Sequence, residues 1–192
     1  MRIGVLAAQG AFAEHIATLH KLQVEAMPVR LPLELSGLDG LIIPGGESTS
    51  ISHLMLAYNL MSEIRNLAKN GLPIFGTCAG MILLANRISD SDGLEPIGVM
   101  DLTIRRNAFG RQVDSFETEL KIPVLGEKPF PGVFIRAPLI EQAGSKVEII
   151  ASLADGTSVA ARQDKLLAAA FHPELTDDLR FHQYFLDIIA GN

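Results

Sequence analysis

Residues 72–88 read LPIFGTCAGMILLANRI, and the change of rhythm within them decides the fold. LPIFGTC is a short apolar run suited to a strand buried on both faces, and AGMILLANRI reads as a helix. Between them stands Gly76-Thr77-Cys78-Ala79-Gly80, with the single cysteine of the chain at its centre. A strand that turns directly into a helix is the start of a strand–helix–strand unit, and such units build parallel sheets covered on both faces.

The residues on either side repeat that rhythm. RIGVLAA predicts a buried strand, and FAEHIATLHKLQ a helix whose Phe12, Ile16, Leu19 and Leu22 fall at helical spacing. VEAMPVRL is a second extended piece, and LDGLIIPGG a third strand running into glycines. SISHLMLAYNLMSEIRNLAKNG is helical with a break near Asn59, and Gly71 suits its C-terminal end. After Gly98 the texture changes. VMDLTIRR, VDSFETELKI, GVFIRAP, KVEIIASL, TSVAARQ and KLLAAAFHP are short strands separated by turn residues, the mark of antiparallel additions. DDLRFHQYFLDIIAG closes as an amphipathic helix, with Asp177 and Asp178 placed for its N-terminus. The expectation is a single α/β domain over residues 1–192: a three-layer, mostly parallel central sheet with helices on both faces and a late antiparallel extension.

Bulk properties narrow the function. With 192 residues, 48% hydrophobic and 20% charged, the chain can bury a full core. No apolar run approaches the roughly 18 residues of a membrane span, and MRIGVLAAQG reaches Gln9-Gly10 too soon for a signal peptide. A net charge of −6 argues against nucleic acid as a partner. One cysteine forms no internal disulfide, which points to a reducing cytoplasm. One cysteine and scattered histidines also make a poor zinc set, so no metal or cofactor is expected.

Ligands of such sheets bind beyond the carboxyl ends of the strands, where Cys78 sits. G-x-C-x-G is the cysteine form of the nucleophile elbow, its glycines keeping the turn uncrowded. A helix N-terminus beside the sulfur favours thiolate over thiol. A nucleophile needs a base, and the base a group that orients it. His15, His20, His53 and His182 fall in helical patterns, where packing or solvation is the default. His172 instead ends an apolar strand, with Glu174 two residues on. In extended backbone those positions share a side, so Glu174 is set to orient the imidazole. The third element, Leu41–Thr49 (LIIPGGEST), exposes backbone N–H groups at a strand's end; one of them, with that of Ala79, suits an oxyanion hole. Ser48 or Thr49 is the expected cap of the helix that follows.

PGGEST, GTCAG and HPE, in that order, resemble the class I, triad-type glutamine amidotransferases, whose fold is flavodoxin-like. GVLAAQGAFAEH, PGGESTSI, GTCAGMILLA, RRNAFGRQVDSFE, VFIRAP and FHPELTDDLRFHQYF resemble more closely the glutaminase subunits of pyridoxal 5′-phosphate synthases. Ala8 departs from that pattern, which more often has leucine there. The resemblance implies hydrolysis of L-glutamine to glutamate and ammonia, without a cofactor, in a hetero-oligomeric complex with a synthase subunit. It implies Cys78 as nucleophile, His172 as general base and then acid, and Glu174 as its partner. Gly46, Glu47 and Ser48 would border the glutamine, with Gly46 and Ala79 at the oxyanion. Arg105, Ile135 and Arg136 would contact the substrate, and a guanidinium suits its α-carboxylate. The rival readings are a glutaminase subunit of another synthase, such as imidazole glycerol phosphate synthase, a thiol hydrolase or chaperone-like protein of the same broad fold, and a catalytically silent binding subunit. RNAFGRQ and FIRAP weigh against the first, the late H-x-E pair against the second, and the complete triad against the third.

Overall fold

A computed structural model of the chain describes residues 1–91, 93–106, 108 and 115–191. The first half alternates as its hydrophobic rhythm predicts: β1 (Arg2–Leu6), α1 (Phe12–Lys21), β2 (Glu25–Val29), β3 (Gly40–Ile43), α2 (Ser48–Ala57), α3 (Leu60–Lys69), β4 (Ile74–Thr77) and α4 (Ala79–Leu84). There follow β5 (Ala85–Ile88), β6 (Met100–Arg105), β7 (Ser115–Leu120), β8 (Phe130–Ile135), β9 (Leu139–Ala143), β10 (Glu148–Ser152), β11 (Ser158–Gln163), β12 (Leu166–Ala169) and α5 (Arg180–Ala190). Among the described residues no helix is long and apolar enough to cross a membrane.

The main sheet runs β2-β1-β3-β4-β12-β11-β9-β6-β5, with β10 on β11, and β7 and β8 pair separately. From β2 to β12 every pairing is parallel. From β12 through β11 and β9 to β6 the pairings are antiparallel, and β5 joins β6 in parallel. Most of the late strands are therefore the antiparallel extension that their turn-punctuated pattern predicts; KLLAAAFHP is the exception, since its β12 runs parallel to β4 and belongs to the central parallel part. β3, β4 and β12 have every residue buried, because helices cover both faces of this part of the sheet.

Alternation along β4 divides its side chains between the two layers of helices. Phe75 packs against Phe181 and Phe185 of α5, with ring centroids 5.5 and 5.6 Å away. Phe181 continues the cluster to Phe130 and Phe171. Gly76 faces α4 instead, and a Cβ there would lie 2.6 Å from the backbone of Gly80. A Cβ on Gly80 would in turn lie 2.0 Å from the carbonyl oxygen of Ile43. Both glycines of GTCAG thus let α4 lie directly on β3 and β4.

Several boundaries differ from expectation. AGMILLANRI is helical only to Leu84. Its last part is β5, because the N–H groups of Ile97 and Val99 take the carbonyls of Leu83 and Leu84 and strand pairing takes over. The long helical stretch does break at Asn59, which has φ 59° and divides α2 from α3. Glu47, rather than Ser48 or Thr49, caps α2: its carboxylate accepts from the N–H groups of Thr49 and Ser50 at 2.9 and 2.7 Å. α5 begins at Arg180, whose N–H donates to Asp178, while Asp177 lies outside the helix and pairs with Lys21. β9 falls in a stretch whose pattern gives no strand signal. The start of VDSFETELKI and most of RRNAFGRQVDSFE before Ser115 lie outside the described residues.

Candidate active site

The carboxyl ends of the parallel strands meet at one cleft of about 370 Å³, lined by Gln9, Gly46, Glu47, Ser48, Cys78, Ile82, Arg106, Ile135, Arg136 and His172. Cys78 occupies the turn between β4 and α4. It takes φ 48° and ψ −103°, a backbone region that costs a non-glycine residue about 1–3 kcal/mol. The glycines beside it do not absorb this strain, since neither has positive φ. The N–H of Cys78 donates to Ala169 of β12 at 2.7 Å, and its carbonyl accepts from Ile82 at 3.2 Å. The residue is 7% exposed, and the carbonyl of Ile135 lies 3.9 Å from Sγ. Ala79 opens α4, so its N–H has no acceptor within the helix.

His172 arrives from β12 on the parallel neighbour of β4, and its N–H donates to Val133 of β8 at 2.8 Å. Its Nδ1 lies 2.7 Å from Oε1 of Glu174. The two residues do not meet by strand alternation as expected. Pro173–Leu175 forms a 3-10 turn, and the turn folds the carboxylate back under the ring. Burial, the largest single influence, disfavours imidazolium. Hydrogen bonds to Cys78 and Glu174, and their charges, outweigh it and push His172 up to about 10. Gly45 leaves room for the ring: a Cβ there would lie 2.4 Å from Cε1 of His172.

This order of groups suits a nucleophile, a base and an orienting carboxylate, on a sheet with parallel centre and antiparallel edge. The sequence pattern of the SNO glutamine amidotransferase family matches residues 5–190. The chain belongs to that family. This amidotransferase is 58% identical over 190 residues to the pyridoxal 5′-phosphate synthase subunit PdxT of Herpetosiphon aurantiacus, covering 98% of this chain and 100% of that protein. It is 58% identical over 191 residues to the subunit of the same name from Moorella thermoacetica, covering 99% and 100%. A crystal structure of a glutamine amidotransferase, 47% identical, matches with a TM-score of 0.94 over 99% of this chain and 100% of that one. A putative GMP synthase subunit from Thermoplasma acidophilum, 19% identical, shares the fold at a TM-score of 0.70 over 100% and 94%.

Most of the residues expected at the amidotransferase site line the cleft: Gly46, Glu47, Ser48, Cys78, Ile135, Arg136 and His172. Glu174 lies behind His172, 6% exposed. The carboxylate of Glu47 is engaged as the helix cap, where hydrogen bonding to Ser50 leads the influences holding it down to about 2. Arg105 does not reach the cleft; it is exposed and pairs with Glu141. Arg106 lines the cleft in its place. The reason is strand alternation: Met100, Leu102 and Ile104 of β6 point inward, and 106 continues their parity. That signal is present in VMDLTIRR. Gln9 was not expected in the cleft either; its Oε1 accepts from the N–H of Glu47 at 3.2 Å. His15, His182 and Thr77 form a buried polar cluster behind Glu174, and helical periodicity alone gave no sign of it.

Proposed function

We propose that this chain hydrolyses L-glutamine to glutamate and ammonia through Cys78, His172 and Glu174. The observation that carries this reading is the 2.7 Å contact between His172 and a buried carboxylate, with Cys78 in the same cleft. The sulfur of Cys78, as thiolate, adds to the carboxamide carbon of glutamine. The N–H groups of Gly46 and Ala79 receive the oxyanion of the tetrahedral adduct. Imidazolium at His172 gives its proton to the departing nitrogen, and ammonia leaves a glutamyl thioester on Cys78. His172, now neutral, takes a proton from water as that water attacks the thioester, releasing glutamate and restoring the thiolate. Glu174 keeps the imidazole oriented and stabilises its charged form.

Arg106 and Arg136 line the cleft and are suited to the α-carboxylate of the substrate. Nη1 of Arg106 is buried with no hydrogen-bond partner among the described residues. Ammonia released into water would be protonated and lost as a nucleophile. The relatives are named as pyridoxal 5′-phosphate synthase subunits, which supports delivery of ammonia to a synthase subunit of that complex. A cytoplasmic setting accords with a thiol that has to stay reduced.

The test measures ammonia release from glutamine with and without the synthase subunit, for the native chain and Cys78→Ala. Release is expected to be lost in the variant and raised by the partner. Unchanged release in Cys78→Ala would remove the catalytic assignment, and indifference to the partner would remove the coupling.

A further inference from the structure

The side of Glu174 that faces away from the cleft carries chemistry that the hydrolysis above does not use. Its Oε1 meets His172, while Oε2 is buried and has no hydrogen bond within ordinary geometry among the described residues. Nε2 of His15 lies 3.4 Å from Oε2, with both side chains fully buried. The same Nε2 is 3.2 Å from the hydroxyl of Thr77, which also accepts the N–H of Gly45 at 3.1 Å. On the other side of the ring, Nδ1 of His15 lies 2.9 Å from Nε2 of His182. One cluster therefore joins α1, α5, the residue before Cys78, the glycine loop and the carboxylate that orients His172. Among the described residues no such group is arranged to hold a metal ion.

Burial leads the influences that hold both histidines neutral: His15 lies well below its ordinary value and His182 is lowered to about 4. Each neutral ring has one N–H and one bare nitrogen, and the contacts decide which is which. With the proton of His15 on Nδ1, its bare Nε2 would face a carboxylate oxygen. His182 would then carry its own proton on Nδ1, which has no partner among the described residues. A buried orphan N–H and two facing lone pairs are both costly. The opposite arrangement avoids both and leaves the hydroxyl proton of Thr77 unmet among the described residues instead: His182 donates from Nε2 to Nδ1 of His15, and the N–H on Nε2 of His15 faces the hydroxyl of Thr77, with Oε2 of Glu174 3.4 Å from the same nitrogen.

We propose that His15, fixed in this tautomer by His182, is a positioning residue that holds the far oxygen of Glu174 and so sets the plane in which the carboxylate meets His172. The proposal rests on the triad reading above. His15 touches neither substrate nor the reacting atoms; it acts through Glu174.

The experiment compares glutamine hydrolysis, with the synthase subunit present, for native protein, His15→Asn, His15→Gln, Glu174→Gln and the double variant His15→Asn/Glu174→Gln. Asparagine places its amide near the former Nδ1 and leaves Oε2 without a donor, whereas glutamine reaches the place of Nε2. The expected result is a fall of about 10-fold in kcat for His15→Asn with little change in KM, recovered in large part by His15→Gln. In the Glu174→Gln background, His15→Asn is expected to have no further effect. Native kcat in His15→Asn, or an equal loss in both backgrounds, would overturn the proposal. Should His15→Asn fail to fold, nitrogen NMR of the histidine-labelled native chain decides: protonation of His15 at Nε2 supports the proposal, and protonation at Nδ1 overturns it. Cys78→Ala serves as the separate control, since activity retained there defeats the triad reading itself.

Discussion

The parallel strands β1, β3, β4 and β12 and the outlying strands β6 and β8 meet at the same cleft but bring different things to it. β3, β4 and β12 are buried along their whole length. Short connections beyond them carry Gly46, Cys78 and His172 into the cleft. β6 and β8 alternate between buried and solvent-facing residues, and deliver Arg106, Ile135 and Arg136. Groups that have to stay in fixed register sit on elements packed from both faces. Cations and an apolar contact, suited to holding a substrate, come from strands with only one packed face. On the proposed function, damage to the first region lowers kcat and damage to the second raises KM.

The largest expected effects fall in the parallel region. Cys78→Ala is expected to lower kcat by a factor on the order of 10⁴ or more, and Glu174→Gln by up to about 10⁴. Steady-state kinetics with near-native KM would sharpen the contrast; a loss confined to KM would break it. Next come the neighbouring arginines. Arg106→Leu is expected to raise KM about 10–100-fold with kcat within a few-fold, the loss of one or two charge-assisted hydrogen bonds. Arg105→Leu, outside the cleft, should leave both within about twofold. Equal effects from the two would erase the distinction that alternation along β6 draws.

Smaller effects concern the frame. Gly80→Ala puts a methyl group against the carbonyl of Ile43, and is expected to cost about 1–3 kcal/mol in urea unfolding as α4 shifts off β3. Glu47→Ala removes the cap of α2, a loss of about 1 kcal/mol at neutral pH. The carboxyl of Glu47 lies below its ordinary value in the folded chain, at about 2. Its contribution is therefore fully present above the unfolded value near 4.5 and is lost as pH falls through about 2. The stability gap between native and variant should close over that interval, and a constant gap would assign the cap to something other than the carboxylate.

The same division explains what was legible in the sequence. RIGVLAA, LDGLIIPGG and LPIFGTC announce themselves because a strand buried on both faces has to be apolar throughout. Cys78 stood out by its glycines, and His172 by ending such a strand with Glu174 close behind. The ring and carboxylate do meet, but through a 3-10 turn at Pro173–Leu175 that alternation does not foresee. β9 was silent because LIEQA mixes apolar and polar residues along an element paired from both sides. β5 was hidden because its Ala85 continues the apolar run of α4, and only pairing with β6 makes it extended. Arg106 was readable from the parity of β6, yet two adjacent arginines offered two choices. His15 and His182 are 167 residues apart, and only the packing of α1 beside α5 brings them together.

The most direct test of the account is acid quenching of the complex during turnover of glutamine, followed by mass measurement of the peptide that holds Cys78. The account predicts a glutamyl group on Cys78 in the native chain and none in Cys78→Ala. Glutamine hydrolysed at the native rate by Cys78→Ala, with no adduct on the native chain, would contradict it.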